Sequence, residues 1–238
     1  QYFCYMDRFK WFMDQGDIEL ESDRTAAAAN EDLQLAGSNF ISSRPDQDSL
    51  SFMAPKARYD LKRHLITATS VQYIQVADAL ITPDSLTVRV RKNAEMDPLD
   101  HAEVLANFVT KYHKIYDANI VIKAKRQYSG KGFIDYVDEN NKSFKIELRN
   151  INVDTAYQTN ALGSITKEQD FQLSPAFDFF GDVRLVASAK DLTFSGSTRI
   201  QHGCEGLARN WMSFTGEIDP AEVFIPVADT LYDDQGAL

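Results

Sequence analysis

The residue types that could do chemistry are few and scattered. His202-Gly203-Cys204-Glu205 puts an imidazole, a thiol and a carboxylate in one short stretch. A nucleophilic cysteine needs a base beside it and a positive or dipolar setting. On a strand His202 and Cys204 would share a face. No oxyanion element accompanies them, and the segment reads as structural. Carboxylates are abundant, with Asp135 near Asp138 and Glu139, and Asp233-Asp234 adjacent. Glycoside hydrolysis needs two of them facing across a cleft, and an acidic chain produces such neighbours by composition alone. The run Asp138-Glu139-Asn140-Asn141 offers oxygen ligands for calcium but lacks EF-hand spacing; it reads as a solvated hairpin tip. Ser129-Gly130-Lys131-Gly132 lacks the Lys-Ser/Thr and helix start of a phosphate loop. Cys4 and Cys204 lie at opposite ends. Two independent buried thiols are the reading taken, one disulfide the alternative. No paired His/Cys cluster supports zinc. No catalytic residue, metal site or cofactor is assigned. The ligand candidates are the aromatic residues Trp211, Tyr128 and Tyr136, whose rings suit sugar faces.

Composition narrows the partners. The chain has 238 residues, a formal charge of −10 and a pI near 4.9. Such a balance repels phosphate backbones and anionic lipid surfaces, so no nucleic-acid partner is expected. The one local exception is Lys123-Ala124-Lys125-Arg126. Hydrophobic residues at 44% and aromatics at 11% argue for a folded chain. No apolar run approaches the length of a transmembrane helix. The sequence begins Gln1-Tyr2-Phe3-Cys4, with no basic segment before an apolar one, which reads as a processed chain or a piece of a longer one.

The elements that must position these side chains are strands. A short motif recurs: a polar residue, an apolar one, any residue, an apolar one. It stands at Ser70-Val71-Gln72-Tyr73, Asp78-Ala79-Leu80-Ile81, Asn93-Ala94-Glu95-Met96, His101-Ala102-Glu103-Val104 and Asp117-Ala118-Asn119-Ile120. The steps between its second residues are 8, 15, 8 and 16. A small or β-branched residue there suits a narrow interior, and the polar residue before it can satisfy backbone groups at a corner. Short alternating strands at near-regular intervals predict strands stacked on one another. Later echoes, at Asn150-Ile151-Asn152-Val153 and Asp191-Leu192-Thr193-Phe194, lose the spacing. Residues 100–115 also fit a helix with Val104, Leu105, Phe108, Val109 and Tyr112 on one stripe; the match of 102–106 to 118–122 favours strands.

Elsewhere the pattern is again β. Phe9, Trp11 and Met13 alternate, Asp14-Gln15-Gly16-Asp17 turns, and Ile18 and Leu20 alternate again, predicting a hairpin. The aromatic cluster around it reads as core or as an interface with a missing segment, with a ligand platform as the alternative. Ala26 to Ala29 could seed a short helix within a connecting region, and Asn39-Phe40-Ile41 a short strand. A second hairpin runs 132–137 to 143–148. Ser195-Gly196-Ser197 reads as a turn, Ala94 to Met96 as a strand, and Val223-Phe224-Ile225-Pro226-Val227 as an edge strand. The expected organisation is an N-terminal hairpin and connecting region at residues 1–49, a β-stacked domain at 50–228 and an acidic tail at 229–238.

Asp48-Ser49-Leu50-Ser51-Phe52-Met53-Ala54-Pro55-Lys56-Ala57-Arg58-Tyr59-Asp60, followed by Ile66-Thr67-Ala68, resembles the repeat of OstA-like proteins. These are lipopolysaccharide-transport β-jellyrolls, whose repeats run apolar strand, "YD" turn, return strand. Phe180-Gly181-Asp182-Val183-Arg184-Leu185 resembles their "GxV" strand start, with Asp182 where an Asn is usual. The chain is also similar to segments of large β-rich envelope proteins from Bacteroidota. Either resemblance implies a periplasmic or cell-surface setting.

The expected fold is therefore all-β, a stacked-strand solenoid or jellyroll, with a β-sandwich as the alternative. The expected function is a non-enzymatic scaffold module of a cell-envelope protein, in assembly, transport or surface display. Its partners would be other segments of a larger envelope protein or assembly, with lipid or glycan as further candidates. A carbohydrate-binding or carbohydrate-active solenoid and a carrier of lipid or apolar chains are the alternatives.

Overall fold

The computed structural model describes residues 2–23, 25–27, 34–205 and 208–225, with only the backbone at 25–27 and 34–36. Strands make up 58% of the chain and helix 6%, so the protein is all-β. The first strands in the chain are β1 (Tyr2–Phe3), β2 (Arg8–Phe12), β3 (Asp17–Glu21), β4 (Thr25–Ala27), β5 (Gln34–Ala36), β6 (Ser38–Ser42), β7 (Ser51–Ala54), β8 (Lys56–Asp60) and β9 (Leu65–Thr69). Next come β10 (Ile74–Val76), β11 (Ala79–Thr82), β12 (Thr87–Val90), β13 (Leu99–Ala106), β14 (His113–Ala124), β15 (Gln127–Val137) and β16 (Ser143–Val153). The last are β17 (Thr159–Ile165), β18 (Gln172–Ser174), β19 (Phe177–Val186), β20 (Leu192–Ile200) and β21 (Trp211–Ile218).

Two sheets carry most of the structure. An N-terminal five-stranded sheet has the order β12-β9-β8-β3-β2. An 11-stranded sheet runs β10-β11-β13-β14-β15-β16-β17-β19-β20-β21, with β18 beside β19, and curls into a half-barrel. All of its pairs are antiparallel. The segment at 100–115 is therefore two strands joined by a turn. Of the helical stripe, Val104 is fully buried while Val109 and Tyr112 are exposed.

The recurring motif has a backbone meaning. Ser70, Asn93, His101 and Asp117 all take left-handed backbone, with φ of 60°, 64°, 53° and 48°. In the fifth copy the left-handed residue is Ala77, just before Asp78. Asn, Asp and His tolerate this region better than most residues. The apolar residue that follows each polar one is buried: Val71, Ala79, Ala94, Ala102 and Ala118 are 0–1% exposed. At the β13–β14 pair the two motifs meet, with Ala102 opposite Ala118 and register shifts on both sides. An extra residue in one strand bends it and increases its twist. Further shifts follow at Tyr116/Asn119 on β14, Gly130/Gly132 on β15 and Leu148/Asn150 on β16, so one crease crosses successive strands. A Cβ on Gly132 would stand 2.8 Å from Ile115 Cγ2 and 2.9 Å from the Ala118 Cβ, so the crease needs glycine there. Gly181 (φ 146°) faces Gly196 across β19 and β20.

The core is one cluster shared by both sheets. Tyr136, Phe171, Phe179, Phe194 and Phe214 interlock in its C-terminal half, mostly edge-to-face or tilted, at centroid distances of 5.2–6.2 Å. Phe194 and Phe179 are 0% and 2% exposed. Burying each such ring contributes roughly 1.5–3 kcal/mol by area.

Several sequence expectations need correction. Ala94 is in a 3-10 turn (Lys92–Ala94), and Met96 makes only an isolated bridge to Val90. Ser195-Gly196-Ser197 lies inside continuous β20, where Gly196 permits the close approach of β19. Residues 223–225 are not strand; the C-terminal edge of the large sheet is β21, which the sequence expectation omitted. Residues 25–27 form a strand, not a helix. Ala28 and Ala29, Pro226 and Val227, and the tail from 229 lie outside the described residues.

Candidate functional site

The expected N-terminal hairpin forms, with Phe9 opposite Leu20 and Trp11 opposite Ile18. Its turn closes through Gln15 and Gly16 N–H groups on the Phe12 carbonyl, and Gly16 takes φ 76°. On one face of the five-stranded sheet the cross-strand rows are apolar. One runs Val88–Ala68–Ala57–Leu20–Phe9, the other Val90–Ile66–Tyr59–Ile18–Trp11. Val88, Val90 and Ala68 are buried against the rest of the protein, Ile66, Tyr59, Ile18 and Leu20 are half-buried, and Phe9 and Trp11 are 75% and 55% exposed. The apolar face thus extends past the body that covers it. Met13, in the hairpin turn, is exposed as well, as are Phe3 and Tyr5 outside this sheet. Clustered exposed apolar residues mark contact sites.

Beneath the same face lies a cavity of about 500 Å³, lined by Ile18, Leu20, Phe40, Ile66 and Val90, with Arg91 and Lys92 among its polar lining. Among the described residues no acidic side chain lines it, in a chain with 35 Asp and Glu. Tyr2 and Cys4 also line it, and burial pushes the ionisation of both up. The Tyr2 hydroxyl is buried without a hydrogen-bond partner among the described residues.

A second, more polar groove of about 1080 Å³ lies at the end of the half-barrel. Glu103, Asp135, Asp191 and Asp219 line it together with Tyr112 and Tyr116. Its carboxylates are engaged: Tyr116 Oη donates to Asp135 at 2.6 Å, Lys114 pairs with Glu103 at 2.9 Å, and Lys190 pairs with Asp219 at 3.0 Å. Burial, and then Asp135, push the Tyr116 phenol up to about 12.

The aromatic residues singled out from the sequence do not converge. Tyr128 is 1% exposed in the core, and its hydroxyl shares a hydrogen bond with Thr159 Oγ1 at 2.7 Å. Thr159 in turn donates to Asp78, which ties β17 to the turn before β11. Tyr136 is 3% exposed and donates to the Leu173 carbonyl at 2.7 Å. Both rings are covered by packing rather than open to a sugar. Trp211 alone reaches solvent in part, wedged edge-on against Phe180 at 4.8 Å with Arg199 over its ring.

His202 and Cys204 lie outside any strand, so they do not share a strand face. Both cysteines are free; Cys4 is half-buried and Cys204 exposed. Asp138 holds the hairpin tip by accepting the Asn140 and Lys142 N–H groups at 2.9 and 2.8 Å. Among the described residues no group of three His, Cys, Asp or Glu is placed to hold a metal ion. No helix among them is long and apolar enough to cross a membrane.

Of the readings open for the aromatic cluster, core does not hold for Phe9 and Trp11, which are exposed. Hydrophobic alternation shows which side chains share a face, not where the cover ends. No protein-family model, curated protein or solved structure matches the chain.

Proposed function

We propose that the chain is a non-enzymatic β-scaffold module of a larger extracytoplasmic assembly. One observation carries this reading. The half-barrel packs Tyr136, Phe171, Phe179, Phe194 and Phe214 into a filled core, whereas the N-terminal sheet leaves Phe9 and Trp11 exposed side by side on one face. Rings held out in water on a rigid edge are suited to contact with another polypeptide. The resemblance of residues 48–60 and 180–185 to OstA-like repeats supplies the envelope setting, periplasmic or cell-surface. Within this reading the half-barrel is a jellyroll-like stack rather than a two-sheet sandwich; the crease that curls a single sheet on itself supports that choice. A photo-crosslinker at position 11 should capture a neighbouring segment of the parent assembly, whereas one at exposed Leu162 should not. Glycan-array binding lost with Trp211→Ala would overturn the reading in favour of a sugar-binding module.

A second reading, a carrier of apolar chains, is favoured by the cavity beneath the N-terminal sheet. Its volume falls in the usual range of ligand sites, and its lining is mainly apolar. Retention of a fluorescent acyl probe, lost with Ile66→Trp, would support it. Absence of retention would remove it.

A further inference from the structure

In two of its cross-strand rows the other face of the N-terminal sheet carries charge that alternates from strand to strand. β8 presents Lys56 and Arg58, β3 presents Asp17, Glu19 and Glu21, and β2 presents Arg8 and Lys10. The register aligns them in rows, Lys56–Glu21–Arg8 and Arg58–Glu19–Lys10. Lys56 Nζ lies 3.6 Å from Glu21, and Arg58 pairs with Asp17. Opposite charges facing each other across strands stabilise a sheet, and like charges destabilise it. Both of these rows end on a cation in β2, the last strand, where Arg8 also pairs with Asp23 at 2.5 Å, while the third row, Asp60–Asp17–Phe12, ends on a ring. Among the described residues β2 pairs only with β3. On the apolar face the rows end on Phe9 and Trp11. The next strand in this order would place acids beside Arg8 and Lys10, and apolar residues beside Phe9 and Trp11. β3, reading Asp17-Ile18-Glu19-Leu20-Glu21, is such a strand and already fills the other edge of β2.

We propose that the free edge of β2 accepts an extended segment of another polypeptide in which acidic and apolar residues alternate. It adds a sixth strand to the five-stranded sheet. Strand addition takes affinity from main-chain hydrogen bonds and specificity from alternate side chains. This inference rests on the scaffold reading and names the chemistry of the partner. A second copy of the chain fits poorly. β2 against β2 sets Arg8 and Lys10 against cations, and β3 of another copy is enclosed between its own β2 and β8.

The test uses two capped peptides, one repeating the Asp-Ile-Glu-Leu-Glu sequence of β3 and one with lysine at each acidic position. Trp11 fluorescence, read in a Trp211→Phe background, reports binding to the full chain. The acidic peptide should bind and the basic one should not. Lys10→Glu should weaken the acidic peptide about tenfold. Lys10→Glu combined with Glu19→Lys keeps opposite charges between β2 and β3 and should turn the preference toward the basic peptide. Equal binding of both peptides, or of neither, overturns the proposal. So does self-association abolished by Lys10→Glu, which makes the occupant a second copy. Binding that appears only after removal of residues 226–238 overturns it too, since the chain's own tail then fills the edge. A Trp11 shift with anionic vesicles but with neither peptide assigns the patch to a membrane. If crosslinking from position 11 persists while the peptides fail to discriminate, strand addition fails and the scaffold reading stands.

Discussion

The two sheets treat aromatic side chains in opposite ways. In the half-barrel, Phe179, Phe194 and Phe214 meet ring against ring, and the sheet curls to enclose them. In the N-terminal sheet the same residue class follows the apolar rows outward until Phe9 and Trp11 stand in water. Both rings obey the same period-two pattern. The difference is whether a second layer reaches them, and that is decided by the crease, which brings distant strands together in one sheet and has no counterpart in the other.

This contrast can be broken first at the filled end. Phe194→Ala should cost about 3–5 kcal/mol, because the ring is fully buried among others and its neighbours cannot all close the void. Denaturant unfolding would measure it, and a loss below about 1 kcal/mol would mean the core is looser than its ring contacts imply. The crease comes next. Gly132→Val sets branched carbon against Ile115 and Ala118 and should cost about 1–3 kcal/mol.

A smaller effect concerns protons. His113 is 5% exposed, and its Nε2 lies 2.7 Å from the Ala189 carbonyl oxygen. Burial holds its pKa below the usual imidazole value despite that bond. The folded chain therefore binds this proton less readily than the unfolded one. Its contribution is intact above the unfolded value of about 6.5 and is lost as pH falls toward the lower folded value. His101 acts in the opposite sense. Its hydrogen bond to Asp117 at 2.5 Å raises its pKa, so its contribution is present below about 6.5 and lost as pH rises through the folded value. It is exposed, and screening keeps its effect minor. His113→Gln should flatten the fall in Tm between neutral and mildly acidic pH; an unchanged pH profile would remove His113 from the account. The smallest change is expected at the displayed end. Trp11→Ser should move stability by no more than about 0.5 kcal/mol, and a large loss in Tm would show that the ring is packed rather than presented.

Much of this was legible in the chain, though not for the reason its spacing suggested. The hairpins at 9–20 and 132–148 follow from alternation and turn residues, and both formed. The polar-apolar motif was read as a stacking period. In four of its five copies it marks a left-handed backbone just before a buried apolar residue, and the 16-residue step between Ala102 and Ala118 is the distance around one hairpin. Tyr128 and Tyr136 have the composition of a sugar platform, but their strand positions point them into the core, where Thr159 and Leu173 satisfy their hydroxyls. Strand β21 was legible too, since Met212, Phe214 and Ile218 alternate with Ser213, Thr215 and Glu217, but its place at the sheet edge is fixed only by pairing with β20. The displayed edge at Phe9 and Trp11 depends on where the covering layer stops, which is a long-range property.

From β13 to β17, and again from β19 to β21, each strand pairs with the next along the chain. Such neighbour-to-neighbour pairing closes short loops and lowers the entropy lost before contacts form. The half-barrel can therefore assemble hairpin by hairpin, each strand taking its register from the one before. Because the bend is written into β13 and β14 by Ala102 and Ala118, the first pair to form would already set the direction in which later strands wind. Pulse-labelled hydrogen exchange should show β13–β14 amides protected before those of β20–β21. Simultaneous protection of both would show that the curvature is imposed by the finished core rather than inherited from its first hairpin.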